Sequence, residues 1–239
     1  MILAILQARM TSTRLPGKVL MPLAGAPMIV RQIERVGRAR RIDRLVVATS
    51  DDASDDPVAE AVAREGVGVH RGSLGNVLER FVGALDAFGP ADAVVRLTAD
   101  CPLADPTVID ATIQRFVEAD VDYASNTPPH RTYPKGLDVE VMTAATLRRA
   151  ASVASSEDER QHVTWGVHQN PERYRLAFLS QEAEEGDVRW TVDYPHDYAF
   201  VAAVYDALYP ADPAFTSDDV RAFVRSRPDI ARFGGERRV

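Results

Sequence analysis

Between residues 2 and 99 the chain switches repeatedly between short apolar runs and stretches whose apolar residues recur at helical spacing. Leu3–Leu6 and 45–49 (LVVAT) are continuous runs, as in strands buried on both faces. Between them, 27–38 (PMIVRQIERVGR) sets Ile29, Ile33 and Val36 on one helical face behind Pro27. The pattern continues with a helix through VAEAVARE, Pro57 near its start, then a short strand VGVH. An amphipathic NVLERFVGALDAF and the strand DAVVRLTA at 92–99 complete the series. Strand–helix alternation implies right-handed crossovers and a mainly parallel sheet with helices on both faces. In such sheets ligands bind at the carboxyl ends of strands, where strand order reverses.

Past residue 120 or so the rhythm changes. YASN, the Pro- and His-rich TPPHRTYPKG and the alternating DVEVM predict strands that need not be parallel. DERQHVTWGVHQN reads as helical, RLAFL and RWTVDYP as strands, and 197–208 as a helix. The segment ending GGERRV is expected to be a frayed surface element. There is no internal repeat and no low-complexity linker, and 239 residues at 46% hydrophobic content can bury a real core.

Charge narrows the ligand class. Lys+Arg 28 against Asp+Glu 35 gives a net charge of −7, which argues against nucleic acid and against a bilayer surface. Yet residues 6–18, LQARMTSTRLPGK, gather Arg9, Arg14 and Lys18 beside Thr11, Ser12 and Thr13. One basic loop on an acidic protein suits a small anion. The single Cys101 excludes an intrachain disulfide and a multi-cysteine metal site, so the cytoplasm is the expected compartment. MILAIL lacks a basic lead-in and reads as a first strand, and no run approaches a membrane span.

Segments 7–18 and 98–105 both follow strands on the same sheet edge. A Gly-containing loop after a buried strand can present backbone N–H groups to an anion. Pro16-Gly17 fits the centre of a type II turn, which would aim Lys18 back across the loop. Neither the Walker A spacing nor a Gly-x-Gly opening is present. The plainer alternative is a set of solvated charges around an ordinary turn.

The stretch Q-A-R-x-x-S-T-R-L-P-G-K resembles the signature of the cytidylyltransferase superfamily that activates sugar acids as CMP conjugates, in its spore-coat-polysaccharide branch. The resemblance extends to RLTADCPL (96–103), YPKGLDVE (133–140), ERQHVT (159–164) and TVDYPHDY (191–198). It implies a three-layer α/β nucleotidyltransferase fold, Rossmann-like and GT-A-like. A single domain over 1–239 is expected: a nucleotide-binding half at 1–120, an acceptor and dimerisation extension at 121–170, and sheet completion with helices at 171–239. By the same resemblance Arg9 and Lys18 are catalytic ligands of the triphosphate. Gln7, Ala8, Ser12, Arg14 and Gly17 complete the nucleotide loop, Arg71 helps hold the nucleotide, and Thr98 stands at a base-contacting position. Asp100 and Asp193 match the two carboxylates that hold Mg2+, and relatives pair as homodimers.

The implied reaction is attack of an acceptor oxygen on the α-phosphorus of CTP, releasing pyrophosphate. Such chemistry rests on positioning and charge neutralisation. No Gly-x-Ser-x-Gly elbow occurs, and Cys101 reads as a packing residue. For a small acidic acceptor, sugar acid or phosphonate, Arg131, Lys135, Arg160 and His162 offer anion contacts. Asp138 and Glu140 share a strand face and offer hydroxyl or amine contacts, and each of these residues has an equally good structural role. His162 or Glu140 could act as base for a hydroxyl acceptor, whereas a pre-ionised oxyanion needs none. His168 and His196 read as surface or cap residues. Two rival functions share the architecture: a GT-A-type nucleotide-sugar glycosyltransferase and a non-catalytic nucleotide-binding module. The first would need Asp-x-Asp after the central strand, where Thr98-Ala99-Asp100 stands; Asp120-Val121-Asp122 enters a strand instead.

Overall fold

The protein is described here from a computed structural model covering residues 1–127 and 129–239. Seven strands form the main sheet: β1 (Ile2–Gln7), β4 (Arg44–Ser50), β5 (Gly68–Gly72), β6 (Ala93–Thr98), β7 (Tyr123–Ser125), β8 (Glu140–Thr143) and β9 (Leu176–Phe178). A small ribbon, β2 (Pro22–Leu23) with β3 (Ala26–Pro27), stands apart. The sheet order is β5-β4-β1-β6-β8-β7-β9. β8 runs antiparallel to both neighbours, and the other pairings are parallel. The sheet is therefore mixed and mainly parallel.

Side-chain alternation on β1 divides the core. Ala4 and Leu6 face one layer, with α1 (Met28–Val36), α2 (Asp56–Arg64), α4 (Pro106–Ala119), α8 (Pro195–Leu208) and α9 (Ser217–Arg225). Leu3 and Ile5 face the other, with α3 (Val77–Phe88), α5 (Ala144–Val153) and α7 (Trp165–His168). A strand buried on both faces has no place for polar alternation, which is why these runs read as continuous. No helix among the described residues is long and apolar enough to cross a membrane.

The chain steps outward from β1 to β4 and β5, then returns through α3 to β6 on the other side of β1. Strand order thus reverses between β1 and β6. Gln7 lies opposite Thr98 in register, so the loops that follow these strands leave the sheet side by side.

Three segments depart from expectation. DERQHVTWGVHQN is broken into α6 (Glu157–Gln161) and α7 by a turn at Val163, whose φ of +27° is unusual for a β-branched residue. That turn buries Val163 and lets the Thr164 hydroxyl reach Glu140. RWTVDYP is not a sheet strand: Trp190 and Thr191 both donate to the Lys135 carbonyl, spending their N–H groups on a loop. Residues 226–239 are not frayed either, because Arg238 is wholly buried against Asp197. The 121–170 segment places β7 and β8 within the main sheet.

Candidate active site

The loop after β1 is held at both ends. Asp55, fully buried ahead of α2, accepts from the Met10 N–H at 2.6 Å and from the Ser50 N–H at 3.0 Å. At the far end the Lys18 N–H donates to the Leu15 carbonyl (3.3 Å) around Gly17, whose φ and ψ are 72° and 7°. This is the type II turn that Pro16-Gly17 predicts, with glycine at the positive-φ corner.

Lys18 is thereby turned inward and is only 8% exposed. Its ammonium donates to the Val192 carbonyl (2.7 Å), Asp193 Oδ1 (3.0 Å) and Asp100 Oδ2 (3.4 Å). Asp100 follows β6; its Oδ1 accepts from the Thr98 hydroxyl at 2.6 Å. Its carbonyl accepts from the Val192 N–H at 2.8 Å, which brings 192–193 to the sheet edge although no strand carries them there. Arg14 pairs with Asp193 Oδ1 at 2.6 Å and Arg189 with Oδ2 at 2.9 Å.

Two carboxylate oxygens, from Asp100 and Asp193, thus converge on one cation. Hard oxygen donors in that number suit magnesium, which completes its shell with phosphate oxygens and water. No cluster of three or more His, Cys, Asp or Glu side chains fit to hold a metal occurs among the described residues. A divalent ion here would rest on this pair and on ligand oxygens.

Gln7, Ala8, Arg9, Ser12, Arg14, Lys18, Thr98, Asp100 and Asp193 line one cleft of about 310 Å³. A second cavity of about 290 Å³ adjoins it, sharing Arg96, Thr98 and His162. Asp138, Glu140, Thr164, Trp165 and His168 line this second space. His168, expected as a surface or cap residue, is half-buried here, its Nδ1 without a hydrogen-bond partner among the described residues; burial lowers its pKa.

Glu140 is not free to act. Burial alone would raise its pKa, but the Arg96 charge and the Thr164 and Tyr123 hydroxyls together hold it below the ordinary carboxylate value. Asp193 is likewise lowered: burial opposes, and Lys18, Arg14 and Arg189 prevail. Burial and the neighbouring Asp100 push the Cys101 thiol up, so it stays protonated.

Depressed carboxylate pKa values stabilise the folded state above the unfolded value, and that contribution disappears as pH falls through the folded one. Stability should therefore hold above about pH 4 and decline progressively below it. Urea unfolding at a series of acid pH values measures this; a flat profile down to about pH 3 would remove Glu140 and Asp193 as stabilising ions.

Four charged candidate residues line neither space. Arg71 is tied to the Ser50 and Asp52 carbonyls (2.9 Å each) and to Asp56, so it braces the loop after β4. Arg160 reaches the Ser155 carbonyl beside α3, and Lys135 is exposed; neither lines the cleft or its neighbour. Arg131 grips Asp138 in a two-pronged ion pair and does not line either space itself. The Asp120–Asp122 pair is engaged with Arg175, away from the cleft.

Sequence reasoning missed Arg80 and Arg96. Arg80 is 2% exposed and lines the cleft; a terminal guanidinium nitrogen donates to the Ser73 carbonyl at 3.2 Å, and its Nε has no partner among the described residues. Burial lowers its pKa to about 10, a cost that a ligand anion would offset. Each left a signal: a cation on the apolar stripe of α3, three residues after Val77, and one inside the apolar run of β6.

A strand-order switch point, an inward lysine after a glycine turn and a carboxylate pair suit nucleotidyl transfer on a three-layer α/β fold. Comparison with known proteins agrees. The family profile described as cytidylyltransferase matches residues 3–204, and the chain belongs to that family. It is a CTP-dependent nucleotidyltransferase by that membership. It is 34% identical to the spore coat polysaccharide biosynthesis protein SpsF of Bacillus subtilis, over 96% of both chains. A cytidylyltransferase structure from Leptospira borgpetersenii superposes with a TM-score of 0.89 at 28% identity, covering 96% of this chain and 95% of that one. CMP:2-keto-3-deoxy-manno-octonic acid synthetase complexed with CTP shares the fold, with a TM-score of 0.65 at 19% identity over 85% and 97%.

Proposed function

We propose that this enzyme transfers CMP from CTP to a hydroxyl or oxyanion of a small acidic acceptor, a sugar acid or a phosphonate, with Mg2+ and release of pyrophosphate. The carrying observation is the convergence of Lys18 with Asp100 and Asp193 at 3.4 and 3.0 Å, at the switch point between β1 and β6. In this reading Arg9, Arg14 and Lys18 exchange their present partners or solvent for triphosphate oxygens, and Lys18 follows charge onto the departing pyrophosphate. Held by Asp100 and Asp193, magnesium would neutralise the triphosphate and polarise the reacting phosphorus. Thr98 steers Asp100 through its hydroxyl.

The second cavity takes the acceptor. Its indole, three threonine hydroxyls and Asp138 carboxylate match a polyhydroxylated ring, which favours the sugar acid. With Glu140 engaged by Arg96, a base for a hydroxyl acceptor falls to His162. The likeness to SpsF supports a role in polysaccharide biosynthesis. A cytoplasmic homodimer, whose partner helps complete the acceptor cavity, belongs to the same proposal.

Thermal shift with CTP, UTP, GTP and ATP, with and without magnesium, tests the donor. A magnesium-dependent shift selective for CTP is expected, worth about 2.7 kcal/mol at a hundredfold excess over Kd. Silence from every nucleotide would sink the assignment. Pyrophosphate release with sugar acids against phosphonates then decides the acceptor.

A further inference from the structure

Asp193 has two unlike sides. Its Oδ1 faces the cleft cations Lys18 and Arg14, whereas Oδ2 is turned away, onto Arg189. The same Arg189 nitrogen also pairs with Asp197 Oδ2 at 2.9 Å, and Arg189 Nε donates to Asp197 Oδ1 at 2.9 Å. Asp197 in turn accepts the backbone N–H groups of Asp193 and Tyr194, both at 3.0 Å. One fully buried carboxylate therefore fixes both the main chain and the side chain of Asp193.

Behind Asp197 stands Arg238, with no exposed surface. It gives one nitrogen to Asp197 Oδ1 (3.0 Å) and another to the Arg189 carbonyl (2.6 Å). Its own carbonyl accepts from Trp190 Nε1 at 2.8 Å, and the Arg237 carbonyl accepts from the Arg189 N–H at 2.9 Å. A segment more than forty residues downstream thus closes over 189–190 and grips Asp197 and Arg189, the two partners on the side of Asp193 away from the cleft. Burying a guanidinium so deeply is costly, and stability alone is a weak reason to retain it.

We infer that Arg238 is a positioning residue of the transfer reaction, acting on Asp193 through Asp197 and Arg189. This rests on Asp193 being part of the catalytic machinery. The test is a double-mutant cycle between Arg238→Met and Asp193→Asn, with two readouts. One is Mn2+ affinity of the CTP-bound enzyme by electron paramagnetic resonance; the other is kcat against KM for CTP.

Arg238→Met should weaken Mn2+ binding and lower kcat on the order of 100-fold, leaving KM for CTP near the parent value. In the Asp193→Asn background the same substitution should add nothing. Arg238→Lys keeps the charge and loses the fork, so it should fall between parent and Met variant. It carries the cycle by itself if Arg238→Met does not fold. Unchanged Mn2+ affinity and kcat, or equal losses in both backgrounds, would make Arg238 merely structural and overturn the inference. If Asp193→Asn alone leaves both readouts untouched, the catalytic reading of Asp193 fails, a result distinct from the other two.

Discussion

Lys18→Ala is expected to lower kcat by about 10²–10³-fold at saturating CTP and acceptor, the range seen when one preorganised donor to developing charge is removed. The reason lies in where the ammonium is held. The turn at Gly17 and the Val192 carbonyl fix it between Asp100 and Asp193, so little reorganisation is needed as charge moves to the leaving pyrophosphate. The structure also assigns this lysine a stabilising role that its sequence context does not reveal. Its removal takes the donor from the Val192 carbonyl and the cation from Asp100 Oδ2, at a cost of about 1–3 kcal/mol by urea unfolding. Lys18→Arg should restore little turnover, since a planar fork cannot replace three bonds from one nitrogen. Near-parental kcat in Lys18→Ala would leave the lysine a purely structural bridge.

Arg96→Met is expected to be the most destabilising single change at the site, by about 3–5 kcal/mol at neutral pH. The substitution strands Glu140, a carboxylate buried between β8 and the turn before α7, with only the Tyr123 and Thr164 hydroxyls for company. In the parent protein Glu140 has a lowered pKa, so its contribution is fully present above the ordinary carboxylate value and is lost as pH falls below it. Without Arg96 the sign inverts: burial raises the pKa, and the penalty shrinks as acid protonates the group. The variant should therefore lose less stability, relative to parent, at about pH 4.5 than at pH 7. A pH-independent difference between the two proteins would show that Glu140 is not the stranded charge. Arg96 also borders both cavities, so reduced affinity for nucleotide or acceptor should accompany the loss.

The parts of the site legible in sequence are local ones. Leu3–Leu6 could be read as a strand because two-sided burial leaves no polar alternation, and Pro16-Gly17 as a turn because only glycine takes its positive φ cheaply. Asp100 could be put at the sheet edge of the opening loop because it follows a strand expected to run parallel to β1, and parallel strands end on one edge. Arg71, Arg160 and Lys135 line neither cavity, because charge type says nothing of direction. Arg71 has backbone carbonyls within reach and turns to them, and Arg160 folds back onto the Ser155 carbonyl just ahead of α6.

Sequence by itself therefore determined the mainly parallel sheet with helices on both faces, the glycine turn and the position of the basic loop, all from periodicities and turns spanning a few residues. Tertiary structure alone decided which cations reach the carboxylates, that Glu140 is engaged by Arg96, and that Arg238 returns to seal Asp197 behind Asp193. Those outcomes join residues far apart in the chain, such as Arg238 and Asp197, 41 positions apart, and Lys18 and Asp193, 175 apart. Buried charges must find partners wherever the fold brings one within reach, and no short window of sequence records that distance.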